Sequence, residues 1–295
     1  MSITLPLTAL AMVAFAANSL LAREALGGGA IDAAGYTAVR LISGGLVLGL
    51  LLLRAGPPAG EGGGRGHGRA PLRDLPGSWP AAAALFVYAI AFSFAYLRLG
   101  AATGALILFV SVQGTMVGAG LVRGDRPTAS EAAGLAIALA GFVALMLPGL
   151  GAPDLLGTAS MVAAGAAWGV YTLRGRGGGA PLAATAGNFL RSIPLCLPLL
   201  AVALFTGSWT SAGVGYALAS GILASGLGYA VWYRALPGLS TTQAAVVQLT
   251  VPVIAALGAV VLLGEPQTLR FAILSTIILG GVALAILGKG RRARG

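Results

Sequence analysis

Six strongly polar side chains interrupt otherwise apolar runs of this chain: Asn18, Arg40, Gln113, Asn188, Arg191 and Gln248. Each amide can donate and accept, so it serves either a neighbouring helix or a solute. A guanidinium adds a flat fork that matches a carboxylate. No Asp or Glu stands with them: Glu131 begins an apolar run, and Asp125 and Glu265 lie in turns. Aromatic residues recur on the same runs. Tyr88, Phe92 and Tyr96 fall at i, i+4 and i+8, on one face of a helix, and Trp168, Tyr171, Tyr229 and Trp232 add more rings. A polar group in hydrocarbon is costly and must face a cavity or a partner. Two readings of the set stand side by side. One is an aromatic cavity with a few polar groups, suited to a small amphiphile. The other is ordinary helix packing, with interhelical hydrogen bonds worth about 0.6–2 kcal/mol each.

The elements that must position these residues follow from composition. Only 9% of residues are charged and 57% are hydrophobic, with a mean hydropathy of +0.91. A soluble chain would need far more charge to cover its surface. We expect an all-α integral membrane protein with ten transmembrane helices. Their approximate spans are 3–22, 32–53, 77–97, 103–122, 129–148, 155–173, 181–205, 211–233, 241–263 and 268–288, each near the 20 or so residues that cross a bilayer. The 47 glycines suit close helix packing, and GxxxG-type pairs occur at Gly45/Gly49, Gly114/Gly118 and Gly165/Gly169. Trp79 and Trp209 begin spans three and eight, as interfacial anchors do.

Charge sets the expected orientation. Placing the N-terminus in the cytoplasm puts 13 of the 18 Lys and Arg residues on the cytoplasmic side, leaving Arg23, Arg98 and Arg270 outside and Arg40 and Arg191 within spans. Both termini are then cytoplasmic. The net charge of +10 is a topological excess in loops, and no nucleic-acid partner is expected.

An internal echo organises the chain. Shifted by 140 positions, Gly118, Gly124, Thr128, Gly141 and Leu147 fall on Gly258, Gly264, Thr268, Gly281 and Leu287, and Asp125 falls on Glu265. The earlier spans correspond too: MVAFAANSLLAR (12–23) resembles MVAAGAAWGVYTLR (161–174), and YTAVRL (36–41) resembles GNFLRS (187–192), which sets Arg40 opposite Arg191. Five spans per half is an odd number. Two similar halves, 1–150 and 151–295, must therefore insert with opposite orientation, as two inverted five-helix repeats.

Other classes lack their residues. The Gly-rich loop 54–76 has no Gly-Lys-Ser/Thr ending for phosphate, and its lone His67 reads as solvated. The single Cys196 lies in an apolar run and reads as packing. A membrane-embedded enzyme would need an intramembrane Ser/His pair, an HExxH or acidic metal ligands, and none is visible. A channel would show a charge ring or filter-like loop. No cofactor or metal is expected.

Taken together, these features resemble the drug/metabolite transporter superfamily in its EamA type. The resemblance rests on the paired turns GDRPT (124–128) and GEPQT (264–268), on Arg40 and Arg191, on AAWG (166–169) and YRAL (233–236), and on Thr250-Val251-Pro252. The first half departs from the pattern, with Val112 in place of a proline and Asp125 in place of glutamate. Within the superfamily the chain most resembles YddG-type exporters of aromatic and other neutral amino acids. The resemblance implies an inner-membrane exporter working by alternating access through a cavity between the repeats. It also makes Arg40 and Arg191 a scaffold pair, so a structural role is preferred over carboxylate binding for both.

The expected substrate-binding set is Asn18, Tyr88, Phe92, Tyr96, Gln113, Trp168, Tyr171, Asn188, Tyr229 and Gln248, with gating bends at Pro194, Pro198 and Pro252. Without a buried carboxylate relay, transport is expected to run down the substrate's own gradient. The alternative is proton-coupled export of another small metabolite or a drug. The expected partners are the lipid bilayer and a small-molecule substrate, with the chain a monomer or weak dimer.

Overall fold

The computed structural model describes residues 3–55, 76–99, 101–147, 154–175, 180–263 and 268–287. The Gly264-Glu265-Pro266 turn, His67 with most of its loop, and the C-terminal basic run lie outside the described residues. Those residues that are described form helices α1 (Thr4–Ala22), α2 (Ala33–Ala55), α3 (Trp79–Tyr96), α4 (Ala101–Val122), α5 (Ala129–Met146), α6 (Leu155–Arg174), α7 (Pro181–Thr206), α8 (Ser211–Ala219), α9 (Gly228–Ala235), α10 (Thr241–Val247), α11 (Val251–Leu263) and α12 (Leu269–Leu287). Spans one to seven are α1 to α7, α8 and α9 make up span eight, α10 and α11 span nine, and α12 span ten.

Nine helical runs among the described residues are long and apolar enough to cross a bilayer. The tenth expected span, α6, is 20 residues long but is diluted by Gly157, Gly165, Gly169, Thr158 and Thr172. Large apolar side chains such as Leu53, Val122, Leu155, Phe205 and Val261 point outward, which only a hydrocarbon solvent makes favourable over so much surface. The chain is a multi-pass membrane protein.

Helix starts follow local chemistry. Thr128 and Glu131 form a capping box at α5, and Ser240 and Gln243 form another at α10. The hairpin between α4 and α5 turns at Gly124, whose φ of 84° suits a residue without Cβ.

Two spans depart from the simple helices expected. Span eight contains a π-helical stretch, Ser220–Leu227. Span nine tightens to a 3-10 turn at Gln248–Thr250. The cause in span nine is Pro252: it has no N–H to give the Gln248 carbonyl, and the Val251 N–H takes that carbonyl instead.

Helices pack in defined pairs: α2 on α7, α5 on α12, α3 on α6, α4 on α6 and on α10, and α1 on α9 and on α11. Glycine sets the closest seam. A Cβ on Gly281 would lie 2.6 Å from the Ala138 nitrogen, so α5 and α12 meet backbone to backbone. The Gly165/Gly169 pair likewise receives α4, and Gly45/Gly49 faces Phe189, Leu190 and Ile193 of α7, whereas Gly114 and Gly118 have no neighbouring element within 4 Å.

Candidate functional site

Aromatic rings crowd the middle of the molecule. Phe15 is the hub, with edge-to-face contacts to Trp168, Tyr229 and Trp232 at centroid distances of 5.2, 5.6 and 5.7 Å. Tyr88 lies 4.9 Å from Trp168, and Tyr229 4.7 Å from it. Such pairs gain from the ring quadrupole as well as from burial.

A cavity opens beside this cluster. It leaves about 40 Å³ of room for the centres of water-sized solutes, within about 420 Å³ of empty space that includes open solvent. The wall comes from α1 (Phe15, Asn18, Ser19), α3 (Tyr88, Phe92), α4 (Leu108, Phe109, Val112), α6 (Trp168), α9 (Tyr229) and span nine (Gln248, Val251). Two of these positions, Leu108 and Gln248, stand 140 residues apart, at the offset of the internal echo.

The expected site residues divide. Asn18, Tyr88, Phe92, Trp168, Tyr229 and Gln248 line the cavity. Tyr96 stacks behind Phe92 at 4.8 Å, and Tyr171 behind Trp168 at 5.6 Å. Gln113 is spent on the Ala245 carbonyl at 2.9 Å. Asn188 accepts from the Ser78 N–H at 2.9 Å, and so ties α7 to the start of α3. Arg191 donates to the Pro76 carbonyl at the edge of the bundle. Pro194 and Pro198 face outward on an unbroken α7, and Pro252 alone sits at a change in helix winding.

Phe15, Ser19, Leu108, Phe109, Val112 and Val251 were not among the expected residues. A signal existed for two of them. Phe15 lies three residues from Asn18 and four from Ser19, spacings that share a helix face, so the polar residue marked the wetted stripe of α1 through Phe15.

The two cavity amides are held firmly. Gln248 accepts from Trp168 Nε1 at 2.6 Å and donates to the Ala244 carbonyl at 2.8 Å. Asn18 Oδ1 accepts from Ser220 at 2.6 Å, with Ser225 at 3.5 Å. Residues five apart diverge by roughly 140° on an α-helix. The wider π winding brings Ser220 and Ser225 to the same acceptor.

Arg40 lies directly behind this wall and is fully buried. Its Nε donates to Ser225 at 2.8 Å and its Nη2 to the Tyr229 hydroxyl at 2.6 Å, and its guanidinium carbon stands 5.4 Å from the Tyr88 ring centroid. Tyr36 continues the network by donating to Ser220 at 2.9 Å.

Between the α4–α5 hairpin and the start of α10, Ser240 donates to Glu131 at 2.5 Å and Thr241 to Asp125 at 2.8 Å.

Comparison with known proteins fits this geometry. A curated relative, the uncharacterized protein PA1977 of Pseudomonas aeruginosa, is 52% identical over 293 residues, covering 99% of this chain and 97% of the relative. A solved structure, described only as the crystal structure of a protein, superposes with a TM-score of 0.76 over 98% of each chain at 21% identity, which establishes likeness of fold. The model of the EamA-like transporter family matches residues 155–287. Its members are transporters rather than enzymes. Within a helical membrane fold built around an aromatic cavity, residues 155–287 of this chain form an EamA-like transporter domain.

Proposed function

We propose that the protein exports small neutral amino acids, aromatic ones foremost, across a bacterial inner membrane by alternating access. The observation that carries this reading is the cavity wall. Phe15, Tyr88, Phe92, Phe109, Trp168 and Tyr229 surround just two amide side chains, Asn18 and Gln248. Ring faces accept an apolar or aromatic side chain with little loss of entropy, and a few convergent polar groups orient it.

Two inverted repeats, 1–150 and 151–295, are supported by the packing. Exchange each span with the one five later, and the main helix pairs map onto one another. Span one packs on span eight as six packs on three, and four packs on six as nine packs on one. Spans two and seven, and five and ten, pair with each other. The cavity is lined by spans one, three and four together with their counterparts six, eight and nine. Transporters built on such repeats rock one repeat against the other around a fixed central site.

The room inside the cavity takes on the order of three waters, less than an amino acid fills, so its wall must move for a solute to enter. Under the charge-derived orientation, the hydroxyl–carboxylate pairs Ser240–Glu131 and Thr241–Asp125 join the halves at the cytoplasmic face. At the 140-residue offset their counterparts are Gly100, Ala101, Phe271 and Glu265, so the external face has no Ser–Glu equivalent in sequence. Opening toward the cytoplasm then costs these two bonds, and opening outward costs those of the other face, where Arg98 pairs with Asp154 at 3.8 Å and Thr210 donates to the Ala30 carbonyl.

The test is counterflow in proteoliposomes of purified protein, starting with tryptophan, phenylalanine, threonine and methionine. Saturable exchange of at least the aromatic pair is expected, with no strong dependence on an imposed pH gradient. Strong dependence would favour the proton-coupled alternative, and no exchange of any of the four would overturn the amino-acid reading.

A further inference from the structure

Arg40 is the one cation buried at 0% exposure among the described residues, and no carboxylate faces it. Ser225, Tyr229 and the Tyr88 ring are its partners, and all are neutral. Its Nη1 is buried with no acceptor in hydrogen-bonding geometry. A buried charge without a counter-ion is expensive, and a buried donor without an acceptor adds to the cost. A guanidinium held only to brace helices would be cheaper as a neutral side chain of similar volume.

What surrounds Arg40 is the cavity wall itself. Tyr88, Tyr229 and Asn18 all line the cavity; the first two touch Arg40, and Asn18 shares Ser225 with it. The guanidinium therefore stands one side-chain layer behind the site, and no acidic residue lines the cavity to cancel its field. Arg191, its partner in the sequence echo, is tied instead to the Pro76 carbonyl at the bundle edge. The two arginines are not equivalent in the fold.

We propose that Arg40 is the carboxylate anchor of the substrate site, taking one carboxylate oxygen on Nη1 and the other on Nη2 in place of the Tyr229 hydroxyl. This inference rests on the amino-acid reading above and sharpens it: the cargo must carry a free carboxylate. Tyr229 is the movable element. It follows the π-helical stretch and Gly228 directly, and its hydroxyl holds the second arm of the fork until the carboxylate displaces it. The rings of Phe15, Phe92 and Trp168 then receive the side chain of the same solute.

The experiment compares counterflow of L-tryptophan and L-tryptophanamide, which differ in the carboxylate, by purified full-length protein in proteoliposomes. Wild type is expected to prefer tryptophan by roughly ten- to hundredfold, the range of a charge-assisted pair of hydrogen bonds. Arg40→Gln should bring that ratio close to one while tryptophanamide still exchanges, and Arg191→Gln should leave the ratio as in wild type. Because Arg40→Gln can fail to fold, Tyr229→Phe is run beside it. Removing the competing hydroxyl should raise the ratio several-fold. An unchanged ratio in either folded variant overturns the proposal while leaving the amino-acid reading in place. Exchange of neither compound by wild type overturns both.

Discussion

The indole Nε1 of Trp168 donates to Oε1 of Gln248 at 2.6 Å, and the same amide is anchored through its Nε2 to the Ala244 carbonyl. The bond joins α6 to the 3-10 turn of span nine and fixes the largest ring of the cavity wall in one orientation.

Gln248→Leu keeps the volume and removes the acceptor. The stranded indole N–H should cost about 1–3 kcal/mol, read as a lower Tm of the purified protein. Trp168→Phe deletes the donor along with the bicyclic ring. The double variant should be less destabilised than the sum of the two, by about 1 kcal/mol, since the pair is counted twice in the singles. Strict additivity would show that the bond contributes nothing.

Pro252 sets the change of winding in span nine. Pro252→Ala restores an N–H within reach of the Gln248 carbonyl, so the 3-10 turn should relax toward α-helix and shift Gln248 in the cavity wall. Counterflow should fall several-fold while Tm holds or rises. Unchanged transport would remove the bend from the mechanism.

Ser240–Glu131 is a charge-assisted hydrogen bond between the two halves, of a kind worth about 1.5–3 kcal/mol. Ser240→Ala and Glu131→Gln should therefore raise the population open at that face, by tenfold or more at the upper end. A reporter cysteine, Val112→Cys in the cavity wall of a Cys196→Ala background, should label faster from the side of the membrane that carries Ser240 and Glu131 in both variants. Equal labelling rates would mean that the bond does not hold the closed state.

Gly281 and Gly280 offer a matched pair at the α5–α12 seam. A side chain at 281 collides with the backbone of Gly134 and Ala138, while one at 280 meets nothing within 4 Å. Gly281→Val should cost at least the 1–3 kcal/mol of an overpacked core, seen as a lower Tm and broadened gel filtration in detergent. Gly280→Val should match the parent protein in both.

Sequence alone determined the class, the approximate limits of nine of the ten expected spans, and half of the cavity wall. These are properties of runs: twenty apolar residues must be solvated by lipid whatever surrounds them, and a polar or aromatic side chain within such a run is visible without knowing its neighbours. Partnership was not visible, because it depends on which helices meet. Asn18 and Asn188 are the same side chain in equally apolar runs, yet α1 carries the first to the cavity and α7 spends the second on the Ser78 N–H. The winding of spans eight and nine was hidden for the same reason. Pro252 announced a bend, but nothing local announced that Ser220 and Ser225 would converge on Asn18. Arg40 and Arg191 sat opposite each other in the sequence echo and were read alike. Only the tertiary structure separated them, by burying one guanidinium behind the cavity without a counter-ion and leaving the other on a backbone carbonyl at the rim.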